Sequence, residues 1–451
     1  MNIRLAWASA IGVLALAAPA VAHTVDCTVD SDRLQEALSR LERGSTLTIK
    51  GNCVGNVTVA TDGASLVAHP SGGTITGQVE VIARRVSITG INIMGPAPSD
   101  ATIVRAGLLA RDGASVSFAN GTIANHAKVG VIAVRNASVT VTASTITGNG
   151  TANVFNSADG VQAADGGAVM LGTPDANNNP VPSAAVEVAH NQFRGVLATR
   201  TGSVRLLAAN IHDNGAQALV AAFGGSSRIS GGTLSAPIPA SGTPADVVIA
   251  SFGGSVDIEN DSGNAISNTT ISGGSGGVIA LDSGAARLRG VSITTSGGSN
   301  LDPSVGAFRS ASIRLQGANT IANVNTLGGG FAVEIGDSAS LRVDDGSGSG
   351  FPSGSNVITG PWQVFDAGQA RIADAGLGSS ITGSIGVTIN SLLTLQRGTL
   401  TGDILVASAS TLFALGGPIK YTGTITCRGG GHIFINLPNP FNPPQGPVCS
   451  P

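Results

Sequence analysis

Large aromatic and charged side chains are scarce in this chain, and each shortage rules something out. Tyrosine occurs once and tryptophan twice. Trp7 falls in the leader described below. That leaves Trp362 and Tyr421 as the flat side chains with a polar handle that commonly pave sugar clefts. Only 11% of residues are charged, and 24 basic against 27 acidic residues leave a net charge of −3. No basic surplus is available for nucleic acid. Beyond the leader no uninterrupted apolar run reaches ~18 residues, so no membrane span is expected after processing. The four cysteines have no clustered histidines around them and do not fit a zinc site. No group of Asp and Glu suits calcium. Neither a metal nor a cofactor is expected.

What is present begins with an export signal. Arg4 supplies the positive end, Ile11 to Ala18 the apolar segment, and Ala20-Val21-Ala22 the small-x-small cleavage pattern. Residues 1–22 read as a signal peptide, with a mature chain from His23 in the periplasm, outside the cell or on its surface. Cys27, Cys53, Cys427 and Cys449 then face an oxidising space. They fall as one near pair at each end. Of the three possible pairings, Cys27–Cys53 and Cys427–Cys449 are expected.

The body of the chain repeats itself. Gly107 to His126 and Gly130 to Asn149 carry the same pattern: three short β-prone runs split by Gly, Asn, Ser and Asp, with no run long enough for a typical helix. Side chains in such runs alternate in direction. Val131, Ala133, Val139, Val141 and Ile146 are the inward candidates. They are small or branched, as a narrow bore requires. The corners take residues that tolerate positive φ. One such coil cannot bury its own apolar face and needs neighbours above and below. The composition of 64 Gly and 12 Phe in 451 residues suits many turns around a lean aliphatic core. The expected fold is all-β: a single-stranded parallel β-helix, three strands per rung, with roughly a dozen rungs at a ~20–30-residue period.

Residues 30–43 carry the one good helical pattern. Leu34, Ala37, Leu38 and Leu41 form its apolar stripe, Asp30, Ser31 or Asp32 its cap, and Gly44 its end. Laid across the first rung, such a helix covers an open core and an open edge. A secreted leader, Cys27 with this helix, Leu47-Thr48-Ile49-Lys50-Gly51-Asn52-Cys53, and then Gly-punctuated triple-strand rungs together resemble the bacterial secreted right-handed parallel β-helix proteins of the pectin-lyase-like superfamily. The resemblance is one of repeat pattern; it implies a right-handed coil and is weak for activity. The expected layout is a cap over 23–60, the β-helix over 61–426 and a proline-rich cap or tail over 427–451. Excursions are expected at Pro96 to Asp100, at Thr173 to Pro180, at Ser235 to Pro244 and at Asp345 to Gly354.

Chemistry is harder to place. Aligning rungs on the apolar residue that opens the second strand sets Arg135 four before Val139, Arg200 four before Val204 and Arg309 four before Ile313. Arg111 stands five before Val116, across a corner one residue longer; Phe252 and Asp337 fill the same place elsewhere. Arg111, Arg135 and Arg200 are therefore candidates for an acidic ligand, since guanidinium forks match carboxylates. They serve equally as a solvated corner. A second column holds His126, Asn149 and Asn214, each three past an isoleucine, where corner residues with side-chain hydrogen bonds are expected. A catalytic reading pairs Lys128 or Arg135 with His126, or with His212 and Asp213, to abstract a sugar C5 proton and steady the resulting charge. The resemblance implies lyases and epimerases that work in that general way. Glu187 and His190, flanking the 173–180 loop, are the other acid and histidine neighbours. The Asp-Asp plus Gly-His-Gly arrangement of β-helix pectin hydrolases is missing. Asp344-Asp345 reads as a turn, and Gly429-Gly430-Gly431-His432 lies at the far end. Phe155, Phe193, Phe223 and Phe252 read as core or corner packing. The favoured function is an exported, non-catalytic β-solenoid, a structural or carbohydrate-binding module at the surface or outside the cell, with a polysaccharide or a cell-surface component as partner. The alternative is a polysaccharide lyase, epimerase or hydrolase on the same fold.

Overall fold

The structure is a computed structural model and describes residues 22–95, 106–150, 158–237, 246–259, 269–295, 302–324, 330–344, 354–373, 379–415, 417, 419–436 and 448–449. The leader, the 96–100 excursion, Phe155, most of the 235–244 and 345–354 segments and most of the proline-rich tail lie outside them. The chain is a right-handed parallel β-helix. One rung shows its logic: strands Val129–Ala133, Ser138–Thr142 and Thr145–Thr147 follow one another around the coil. Each pairs in parallel with its counterparts above and below. Val131 lies between Leu108 and Val161, Val139 between Val116 and Val169, and Ile146 between Ile123 and Val188.

First strands of successive rungs build a 16-stranded sheet, and second and third strands share a 29-stranded one. The rungs therefore exceed a dozen. The excess lies near the C-terminus, where Trp362–Val364, Ile385–Val387, Ile404–Ala407 and Ile425–Arg428 follow at short intervals with little loop between them. The five inward candidates of the 130–149 coil are 0–1% exposed. Trp362 also points into the bore and is buried.

The corner after the third strand explains why the rungs at Gly130, Gly160 and Gly195 open with glycine. Asn149, Asn191 and Asn214 are buried there, one per rung. Asn149 Nδ2 donates to Asn191 Oδ1 (2.9 Å) and Asn191 Nδ2 to Asn214 Oδ1 (2.9 Å). The same oxygens accept the backbone N–H of the residue above, at 3.1 Å in both cases. His126 ends the ladder, its N–H donating to Asn149 Oδ1 at 3.1 Å. A Cβ on Gly130, Gly160 or Gly195 would stand 2.8, 2.6 or 2.9 Å from these amides. Glycine is the residue that leaves room. Asn191 escaped the sequence alignment because the long 150–186 segment interrupts the period; it stands three past Val188, as the others do past isoleucine.

The N-terminal helix is shorter than its pattern, Leu34–Ser39, with Arg33 at the N-cap and no side-chain cap. Asp30 is drawn into a local turn instead, accepting from Arg33 Nε at 2.8 Å and from the Asp32 N–H at 3.3 Å. Leu34, Leu38 and Leu41 are buried at the end of the bore. The Thr58 N–H, on the outermost first strand, donates to Gln35 Oε1 at 2.7 Å, so the helix also satisfies an open edge. Cys27 and Cys53 are bonded across 26 residues, a loop whose closure contributes about 3 kcal/mol in the chain-entropy account. At the other end the backbone pairs Cys427 with Cys449, and Cys427 is itself disulfide-bonded.

Replacing Asn191 with Ala removes both an acceptor and a donor from the middle of the buried ladder. A loss of about 3 kcal/mol is expected from the groups left unsatisfied. Urea unfolding followed by circular dichroism checks it, with Asn177→Ala, on the exposed 173–180 loop, as the neutral comparison.

Candidate functional site

The predicted arginine corner exists, with one register correction. The residue four before Val116 is Asp112, not Arg111. The column therefore runs Asp112, Arg135, Asp165, Arg200, Phe223, Phe252, Asp282, Arg309, Asp337, and every member has positive φ. Its charges alternate and pair. Arg135 meets Asp112 at 3.2 Å, Arg200 meets Asp165 at 3.4 Å and Arg309 meets Asp282 at 3.2 Å. Arg111, one residue before the corner, donates from Nε to Glu80 at 2.6 Å and also bonds Asp112. Where the signs give way, Phe223 and Phe252 stack with ring centroids 4.8 Å apart and are more than half exposed. Phe193 is half-buried beneath the Arg194 guanidinium.

The histidines divide. His126 is fully buried, with Nε2 donating to Ile93 O at 3.2 Å. Burial holds its pKa down at about 4, against the smaller raising effect of that bond. It is a neutral core residue facing no substrate. His212 is outside and is gripped on both sides: Nδ1 meets Asp213 at 2.9 Å and Nε2 meets Glu187 at 3.3 Å. His190 stands edge-on at 6.2 Å between centroids. Strand pairing of Glu187–Ala189 with Asn210–His212 brings these four together. Lys128 and Arg135 are not among them; they line a separate recess on the first-strand sheet with Arg111, Gln162, Asp165 and Arg200.

A further groove is one the sequence reasoning missed. It runs over the outer face of the second strands, where two hollows of about 640 and 430 Å³ meet at Ser255 and Asp257. Its central column, read down strand partners, is Arg205, Arg228, Asp257, Arg287, Arg314, Arg342 and Arg371. At ~4.8 Å per rung, six arginines stand in line over roughly 30 Å. Serines 203, 226, 255, 312 and 340 form a parallel line of hydroxyls beside them. The signal lay one residue past the alignment point: Ser-Val-Arg-Leu, Ser-Ser-Arg-Ile, Ser-Ile-Arg-Leu and Ser-Leu-Arg-Val recur at 203, 226, 312 and 340.

Carboxylates brace several of the guanidiniums. Arg287 pairs with Asp257 and Glu259, each at 2.5 Å, and Arg228 reaches Glu259 at 3.2 Å. Arg314 and Arg342 share Asp344, each at 3.0 Å. Asp344 is thus the buried end of the strand Ser340–Asp344 and no turn residue, because its carboxylate is drawn to these two arginines. Arg371 reaches an amide, Gln396 Oε1, at 3.0 Å. Burial, reinforced by Asp257, pushes the Glu259 carboxyl above its usual range; burial also lowers the pKa of Arg289, next along the strand. Among the described residues six arginines and Asp257 line this face, and Glu259, Asp344 and Arg289 lie buried beside them. Among the described residues no histidine lines this groove. No known protein family matches this chain, and no curated protein matches it.

His126 generates a pH test. Its folded pKa of about 4 lies below the ordinary histidine value of 6.5, so the unfolded chain binds the proton first. Stability from this residue is complete above 6.5 and is lost as pH falls toward 4, by about 3 kcal/mol in all. Thermal melts of the wild type and of His126→Asn across that interval are expected to diverge by this amount, with the wild type losing more.

Proposed function

We propose that this chain is an exported, non-catalytic β-solenoid that binds an extended acidic polysaccharide along the second-strand groove. The observation that carries the reading is the in-register column of six arginines, which concentrates positive charge on one face of a net acidic protein. A one-rung rise suits a polymer carrying regularly spaced carboxylates, each met by a guanidinium fork. The serine line offers neutral hydroxyl partners for sugar oxygens. The leader sequence and the Cys27–Cys53 disulfide favour an oxidising compartment. Kinship with the secreted pectin-lyase-like proteins belongs to the same proposal and rests on the fold and the repeat pattern. The non-catalytic part rests on distance of function. General acid–base catalysis needs a proton-carrying group within hydrogen-bond reach of the substrate. The exposed acid–histidine cluster found among the described residues, Glu187, His212 and Asp213, sits at the third strands, around the bend from the arginines.

Calorimetric titration of the mature chain with polygalacturonate and with dextran tests this. Polygalacturonate is expected to bind and dextran not, with affinity falling as salt rises. The double substitution Arg314→Ser, Arg342→Ser is expected to weaken binding at least tenfold, and Arg135→Ser to leave it unchanged. Wild-type affinity in the double variant rejects the groove. Absorbance from new unsaturated ends during incubation selects the lyase alternative.

A further inference from the structure

The recess on the first-strand sheet is a different kind of site. We propose that it binds a small aryl carboxylate, with the ring on its apolar floor and the carboxylate at Lys128. The hollow measures about 400 Å³, within the span usual for small-molecule sites. Its floor is made by side chains that point away from the bore. Leu109 and Ile132 are strand partners on successive rungs, and Val129 and Val134 flank them. With Ala106 they form an apolar cluster of their own, separate from the solenoid core. Ala106, Leu109 and Val129 are buried within this cluster, and the partly exposed Ile132 and Val134 are the surface it offers, which a rigid ring covers with little loss of conformational freedom.

The rim decides the charge and the orientation of the ligand. Arg111, Arg135 and Arg200 are each engaged by a carboxylate: Glu80 and Asp112 for the first, Asp112 for the second, Asp165 for the third. Lys128, half-buried at the start of the strand, has no ion-pair partner among the described residues. Asp165 lines the opposite side, beside Arg200, and repels an anion from that end. The carboxylate therefore belongs at Lys128. Gln162, the next residue in the floor column after Ile132, supplies an amide for a ring hydroxyl.

Titration of the mature chain with 4-hydroxycinnamate, followed by calorimetry, tests the site. Saturable one-site binding is expected, at least tenfold weaker for the uncharged 4-hydroxycinnamyl alcohol. Lys128→Gln is expected to weaken 4-hydroxycinnamate roughly tenfold, the worth of one charge-assisted bond. Ile132→Ser, an outward-facing change, is expected to weaken both compounds. Arg314→Ser in the polysaccharide groove is expected to leave both unchanged, which keeps the two sites distinguishable. Inorganic sulfate is expected not to compete. Absence of saturation, equal affinity for the alcohol, displacement by sulfate, or unchanged binding in Lys128→Gln would each overturn the proposal. Lys128→Gln decides the matter if Ile132→Ser does not fold.

Discussion

Parallel hydrogen bonding between successive coils governs everything else in this molecule. Once Val139 is held between Val116 and Val169, every other residue of that strand is assigned a vertical neighbour. A slip of one residue would turn the aliphatic side chains outward and the arginines inward, so burial of the core enforces the register. Like then stands on like. Aliphatics stack in the bore, amides stack at the third corner, and guanidiniums stack on the second face. The groove is aligned by forces that act on the opposite side of the same strands.

Stacking like charges has a cost, and the two charged columns meet it differently. Neighbouring unit charges ~4.8 Å apart repel by roughly 1 kcal/mol even in water. At the first corner the signs alternate from Asp112 to Arg200, so repulsion becomes pairing. On the second face the signs do not alternate beyond Asp257. Asp344 and Glu259 relieve the column from one position along the strand, and both are nearly buried, at 7% and 3% side-chain exposure. Among the described residues that line this face, arginines outnumber carboxylates. A soluble surface does not require such a surplus, and local departures from stability rules mark functional ground.

Much of this was legible in the letters. The duplicated passage from Gly107 to Asn149 disclosed the coil, its inward residues and its corners, because alternation and turn chemistry are local properties. The helix and the first disulfide were legible too, the helix with overlong ends, since Asp30 makes a turn where a cap was expected. Asn191 was hidden by an insertion of irregular length. The arginine column is hidden when the rungs are aligned on the corner, because Arg205 and Arg228 lie five residues past it. Arg111 was put in the corner line by the same one-residue error. The meeting of Glu187 with His212 depends on coil length, which no local pattern encodes.

The glycines that open the coils at Gly130, Gly160 and Gly195, kept bare by the amides beneath them, make this part of the molecule divisible. Excising one full turn between equivalent glycines would bring two already compatible surfaces together, since each amide accepts the same neighbour. The solenoid behaves as a graduated rod. Its reach along a bound polymer changes in whole units, by adding or removing a turn, while every remaining guanidinium keeps its place.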